Sequence, residues 1–414
     1  KTMNNSRLLG FGSTWHISTL SGLYLSQGLS GGFTMGLTTY LVSKGASVSD
    51  ISLLLSITLL PWTIKFLLGP FVDAFTLKRF GRRRFWILLS QTFMLLSLTP
   101  LVFTEVESVT TLLIVALTFH NFCVAISDIS IDAMAADTLE EKDLGKANGF
   151  MWGSKMLGRG SGMALSALIF FNYGVNLGIL VLIFLMFLFF LMPIFSKELE
   201  YKIGSEEEGV VANKLPVRDL ISEVLKGFST KKAVLALFFM LFANIGYGIF
   251  DVVYNQFYID TLGWSGEEIG SARPIGMWVG AVVGLMAGLL SVYLGKRYLL
   301  TFFILGQMGV FLALSTFTAE ASYSSGLSIL IGLDAFDAGW SVLIFAALMS
   351  LCTTKTSATN FGIYVGLANI STLIGNNLAP LMFSNFDYSV TFIFCAVSMI
   401  PCLIIAPLIT KEVN

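Results

Sequence analysis

The sequence predicts an all-α polytopic membrane protein of about twelve transmembrane helices in two six-helix halves, and three observations predict it. Of 414 residues, 55% are apolar and 12% charged, with 36 Phe, whereas a soluble domain carries roughly 25% charged residues. Apolar stretches recur from end to end, each near the ~20 residues that cross a hydrocarbon core of about 30 Å as a helix. Lys and Arg gather in alternate loops between those stretches, the asymmetry expected when one side of a membrane holds the positive excess.

Hydropathy and turn residues place the spans near 15–42, 50–75, 85–104, 110–138, 146–171, 175–195, 232–260, 267–294, 298–317, 323–351, 358–384 and 388–410. The first has no small-residue cleavage pattern and continues through Gly28, Gly32 and Gly36, so it reads as a span and not a signal peptide. Between the sixth and seventh lies a polar insert containing Glu206, Glu207 and Glu208. There Val217, Leu220, Ile221, Val224, Leu225 and Phe228 recur at helical spacing, which predicts an amphipathic helix lying on the membrane interface. The expected organisation is therefore an N-terminal bundle over 1–195, a linker over 196–231 and a C-terminal bundle over 232–414.

Loop parity orients the chain. The basic loop 78–84, Lys142, Lys146, the linker lysines, Lys231, Lys232, Lys296, Arg297, Lys355 and Lys411 share one side, and Lys44 alone lies on the other. Both termini and the linker are thus expected in the cytoplasm. Net charge is −1, which gives no basis for nucleic-acid binding. Cys123, Cys352, Cys395 and Cys402 are irregularly spaced and form neither a disulfide framework nor a metal site. Two six-span halves joined by a polar linker are the repeat architecture of secondary transporters, whose solute sites form near the midplane. The spacers Gly28/Gly32/Gly36, Gly158/Gly162 and Gly280/Gly284/Gly288 predict close helix contacts.

Charge inside the spans carries the functional argument. A charged side chain at the bilayer centre costs about 2.5–3.5 kcal/mol even on the lenient insertion scale, so each needs a partner or an aqueous cavity. Lys65, Lys155, Arg159 and Arg273 are the cations; Asp128, Asp132, Asp251, Asp334 and Asp337 are the acids. Asp128/Asp132 and Lys155/Arg159 are i, i+4 pairs, each sharing a helix face. Counted from the turn near residue 142, Asp128 and Lys155 lie at similar depth, so they are expected to approach each other. Arg159 lies about a turn farther on, where it would meet a solute or His120. Asp251 and Arg273 straddle the turn near 264 in the same manner. Buried pairs are weak stabilisers, and with more acids than cations Asp128/Asp132 or Asp334/Asp337 could carry a proton, as intramembrane acids do in transporters. Trp62, Trp152, Trp278, Trp340, Tyr247, Tyr254 and Asn255, on turns near these charges, would suit a cavity for a large anionic solute with polar and ring-like parts.

Span 2 ends Gly69-Pro70-Phe71-Val72-Asp73, followed by Arg79-Phe80-Gly81-Arg82-Arg83-Arg84. This resembles the gating signature of the major facilitator fold. Asp73 can pair with the loop arginines or face the helix start at Thr356, Ser357 and Thr359, where the helix dipole favours an anion. Gly69, Asp73, Gly81, Arg82 and Arg83 are the expected gate. Further motifs run in order through both halves: Trp62-Thr63-Ile64-Lys65-Phe66-Leu67, Ser127-Asp128-Ile129-Ser130-Ile131-Asp132-Ala133, Gly153-Ser154-Lys155-Met156-Leu157-Gly158, and Ala347 to Cys352 continuing in Ser357-Ala358-Thr359-Asn360-Phe361. On these the chain resembles the AmpG-like muropeptide permeases of the peptide, acetyl-coenzyme A and drug transporter family. The resemblance implies a bacterial inner-membrane protein, working as a monomer. It further implies proton-driven inward movement of peptidoglycan fragments, with no cofactor beyond the proton gradient, and Lys65, Asp128 and Asp132 matching charged family positions. Lys155 stands where these permeases usually carry Arg, and Asp334 where they tend to carry Glu. A siderophore, a coenzyme A ester or a drug is the alternative solute. A membrane enzyme is disfavoured: HExxH and GxSxG are absent, and His16 and His120 are the two histidines.

Overall fold

The computed structural model describes residues 9–69, 72, 83–138, 141–195, 222, 224–352 and 357–410. The helices are α1 (Leu9–Ser43), α2 (Val48–Thr63), α3 (Arg84–Val102), α4 (Thr111–Thr138), α5 (Glu141–Tyr173), α6 (Val175–Phe195), α7 (Lys231–Ala243), α8 (Ile245–Asp260), α9 (Gly266–Leu294), α10 (Lys296–Leu314), α11 (Tyr323–Leu351), α12 (Ser357–Asn385), α13 (Tyr388–Val397) and α14 (Ile400–Ile409). A 3-10 turn, Lys65–Leu67, follows α2. Every expected span overlaps a described helix, though residues 70, 71 and 73–75 of the second lie outside the described residues, and nine helical stretches among the described residues are long and apolar enough to cross a membrane. Asp73, Gly81 and Arg82 of the expected gate, and most of the linker helix, lie outside the described residues.

Helix ends follow local chemistry. Ser47 and Asp50 form a capping box at the start of α2, as do Ser265 and Glu268 at the start of α9, each satisfying backbone donors that the first turn leaves without a carbonyl. Gly45 supplies the positive φ of 93° that turns the chain from α1 into α2. Span 7 is broken in two at Asn244, whose N–H donates to Ser371 Oγ at 2.9 Å instead of to a helical carbonyl. That break sets the direction of α8, which carries Tyr247, Asp251 and Tyr254.

The helices divide into two compact units. In one, α1 up to Leu37 packs with α3 to α6; in the other, the rest of α1 from Thr38, α2 and the chain as far as Phe66 join α7 to α14. This grouping differs at residues 38–66 from the division expected at the linker, and the reason is a polar seam on α2 and α12. Ser52 Oγ donates to the Asn376 carbonyl at 2.6 Å, Asn377 Nδ2 donates to Ser56 Oγ at 3.0 Å, and Asn369 Nδ2 donates to the Trp62 carbonyl at 3.0 Å.

Glycine sets how closely helices approach. A Cβ added to Gly28 or Gly32 of α1 would strike the Lys155 or Arg159 carbonyl of α5, and one on Gly158 or Gly162 would strike the Leu25 or Leu29 carbonyl. The expected α1 and α5 spacers are thus in mutual backbone contact. On α9 the tightest contacts fall one turn earlier than expected: Gly276 meets Leu330 O and Gly280 meets Asp334 O at 2.6 and 2.7 Å from the added Cβ, while Gly284 and Gly288 come nearest to the Val342 side chain, at 3.3 and 3.4 Å.

Candidate functional site

In the first unit the α1–α5 contact brings Tyr24 beside Lys155, and the α4–α5 hairpin brings Asp128 to the same place. Lys155 Nζ lies 3.2 Å from Asp128 Oδ1, the approach predicted by counting from the turn. Asp128 is buried, while a fifth of the Lys155 side chain remains accessible, with side-chain exposures of 4% and 20%. The ammonium also lies 5.2 Å from the Tyr24 ring centroid and 5.6 Å from that of Trp152, within the range of cation–π attraction. Tyr24 closes the cluster by donating its hydroxyl to Asp132. One lysine, two carboxylates and two aromatic rings therefore share one site, in which the charge of Lys155 is held by Asp128 while a fifth of its side chain stays accessible.

Arg159, one turn along α5, donates from Nε to Met35 Sδ at 3.2 Å. It does not meet His120 as expected. His120 is buried and bound instead to Ser30 Oγ at 2.5 Å, Ser97 Oγ at 3.1 Å and the Met94 carbonyl at 3.1 Å, because it faces α1 and α3 and not α5.

The second unit holds a denser cluster. Arg273 on α9 is fully buried and ion-paired to Asp334 on α11. Its Nη2 donates to Tyr247 Oη at 2.8 Å, and Tyr247 Oη in turn donates to Asp334 Oδ1 at 3.1 Å. Asp251, the partner expected from the turn near 264, lies 3.9 Å away and ranks behind Asp334. The guanidinium sits 5.6 and 5.5 Å from the Phe250 and Tyr254 ring centroids. Gly276 makes this possible, since a Cβ there would lie 2.6 Å from Asp334 Oδ2. Next along α8, Asn255 Oδ1 accepts from Thr39 Oγ1 at 2.9 Å. Asp337 is half-buried on α11, a turn beyond Asp334.

The remaining predicted residues disperse. Lys65 lies over the Trp62 ring at 5.3 Å on the turn after α2. Trp340 is a core residue, not a cavity residue: its indole N–H donates to Gln307 and its ring packs on Phe239. Trp278 is 37% exposed on α9 and joins neither cluster. Gly69 is half-buried and Arg83 is buried. Sequence reading missed Tyr24, which lacks a charge to draw attention. Its signal was its position one turn before Gly28 in the glycine stripe of α1.

The sequence matches the model of the Major Facilitator Superfamily over residues 20–365. It is 27% identical over 403 residues to the AmpG 1 protein of Rickettsia conorii, covering 91% of this chain and 95% of that one. It is 26% identical over 416 residues to the anhydromuropeptide permease of Escherichia coli K12, covering 93% of this chain and 78% of the permease. Among solved structures, a mutant of the nucleoside transporter NupG superposes with a TM-score of 0.70 over 96% of this chain and all of its own, at 12% identity, a likeness of fold alone. A membrane-helical chain with paired charges inside its spans, matched to one family model over most of its length, belongs to the Major Facilitator Superfamily of transporters.

Proposed function

We propose that this chain is a proton-coupled importer working by alternating access, and that its solute is an amphipathic anion of the muropeptide class. The observation that carries the reading is the Asp128–Lys155 pair with Tyr24, Trp152 and Asp132 around it. A lysine already neutralised by an acid, yet one-fifth accessible, can exchange that acid for a solute carboxylate, releasing Asp128 to take a proton. Aromatic rings beside the ammonium supply stacking surface for sugar rings. The Arg273–Asp334 cluster is too enclosed for such exchange, with Arg273 at 0% exposure, and serves to fix α8, α9 and α11. Likeness to the Escherichia coli permease supports the solute class and a bacterial inner membrane, and the loop asymmetry of Lys and Arg supports both termini cytoplasmic.

A solute panel tests this reading. Purified protein in proteoliposomes is offered a labelled anhydromuropeptide, acetyl-coenzyme A and a ferric siderophore under an inward proton gradient. Uptake of the anhydromuropeptide alone is the expected result. Movement of either other solute in its place would overturn the solute class.

A further inference from the structure

We propose that Gln27, Gln91 and Ser127 enclose an internal water chain that joins the Asp128 site to His120 through the interior of the first unit, a route for protons separate from the solute's. Gln27 is 3% exposed, Gln91 3% and Ser127 0%. Yet Gln27 Oε1 and Nε2, Gln91 Nε2 and Ser127 Oγ meet no hydrogen-bond partner among the described residues. Leaving such groups dry is costly, whereas ordered water commonly satisfies buried polar atoms of this kind.

Helix register places the three side chains in one layer. On the side of His120, α1, α3 and α4 are tied by the bonds of His120 to Ser30, Ser97 and the Met94 carbonyl. On the opposite side, Leu23 and Tyr24 of α1, Ile87 of α3 and Ile131 of α4 belong to one apolar cluster. Gln27, Gln91 and Ser127 fall between these two levels on their respective helices, four residues before Ile131 and four residues from Leu23 and Ile87, on the same helical faces. Gln27 stands one turn from Tyr24 and one turn from Ser30. Ser127 adjoins Asp128 in the chain.

The chemistry of the layer selects water over a metal cation. Gln27 and Gln91 present amide donors, which a cation cannot accept, and the neighbouring carboxylate, Asp128, is already paired with Lys155. Water both donates and accepts. At the far end the His120 tautomer is set by its neighbours: Nδ1 faces the Met94 carbonyl at 3.1 Å, which only accepts, so Nδ1 carries the hydrogen and Nε2 accepts from Ser30 Oγ. A proton arriving from the Asp128 side passes from water to water, each oxygen giving up one proton as it gains another. His120 Nε2 takes it through Ser30 and the ring becomes imidazolium, Nδ1 keeping its hydrogen on the Met94 carbonyl; the same chain returns the proton toward Asp128.

The route rests on the proton-coupled reading above; the water site does not. Two measurements separate them. A high-resolution structure of the wild-type protein is expected to show density bridging Gln27, Gln91 and Ser127, and a dry layer or direct Gln27–Gln91 bonding would overturn the proposal. In proteoliposomes, Gln27→Leu with Gln91→Leu is expected to retain anhydromuropeptide counterflow while gradient-driven accumulation falls to the level seen without a gradient. Ser127→Ala is the milder variant if the double substitution fails to fold. Unchanged accumulation in a folded variant would overturn the route. Wild-type uptake that ignores the proton gradient would instead remove the coupling reading, leaving the density to decide the water site.

Discussion

Arg273 heads the fully buried side chains of the second unit by volume. Its charge is fully buried and answered by Asp334, Tyr247 and the rings of Phe250 and Tyr254. Removing one partner of such a pair costs about 3–5 kcal/mol, because the other charge is left buried, while replacing both by apolar residues is close to neutral. Arg273→Met or Asp334→Leu alone should therefore lower the unfolding temperature in detergent strongly, and the double variant should regain most of the loss. Equal damage in the double variant would contradict the pairing. Tyr24 is held by a smaller energy. Tyr24→Phe keeps the ring over Lys155 and loses the hydroxyl that donates to Asp132, so a loss of about 0.5–1.5 kcal/mol is expected, with Tyr24→Ala costing more in the same thermal measurement.

Helix contacts explain why some of the site was legible before the structure and some was not. Gly28, Gly32, Gly158 and Gly162 lie where α1 and α5 touch backbone to backbone. Gly158→Leu should not fit there and should cost at least the ~1–3 kcal/mol of an overpacked core, whereas Gly153→Ala, which meets nothing within 4 Å, should be tolerated; comparable melting temperatures for the two would contradict the account. The Asp128–Lys155 pair was readable from sequence because a hairpin turn fixes relative depth by counting. The Arg273–Asp334 pair was not, because α9 and α11 are not sequential and their register is set by Gly276 and Gly280. Trp340 was misplaced for a related reason. Proximity in sequence to Asp337 says nothing of which helix face meets Gln307.

At the scale of the molecule, composition and loop charge gave the membrane-helical class and the order of the spans, since both depend only on the solvent. They did not give the grouping of α2 with α12, which arises from the short polar side chains Ser52, Ser56, Asn369 and Asn377. Two charge clusters of different accessibility are consistent with a division of labour, one for exchange and one for structure. The most direct test is anhydromuropeptide accumulation in proteoliposomes with and without an inward proton gradient, for the wild type and for Asp128→Asn. The account predicts gradient-driven accumulation by the wild type and its loss in a folded Asp128→Asn protein. Undiminished accumulation by Asp128→Asn would contradict it.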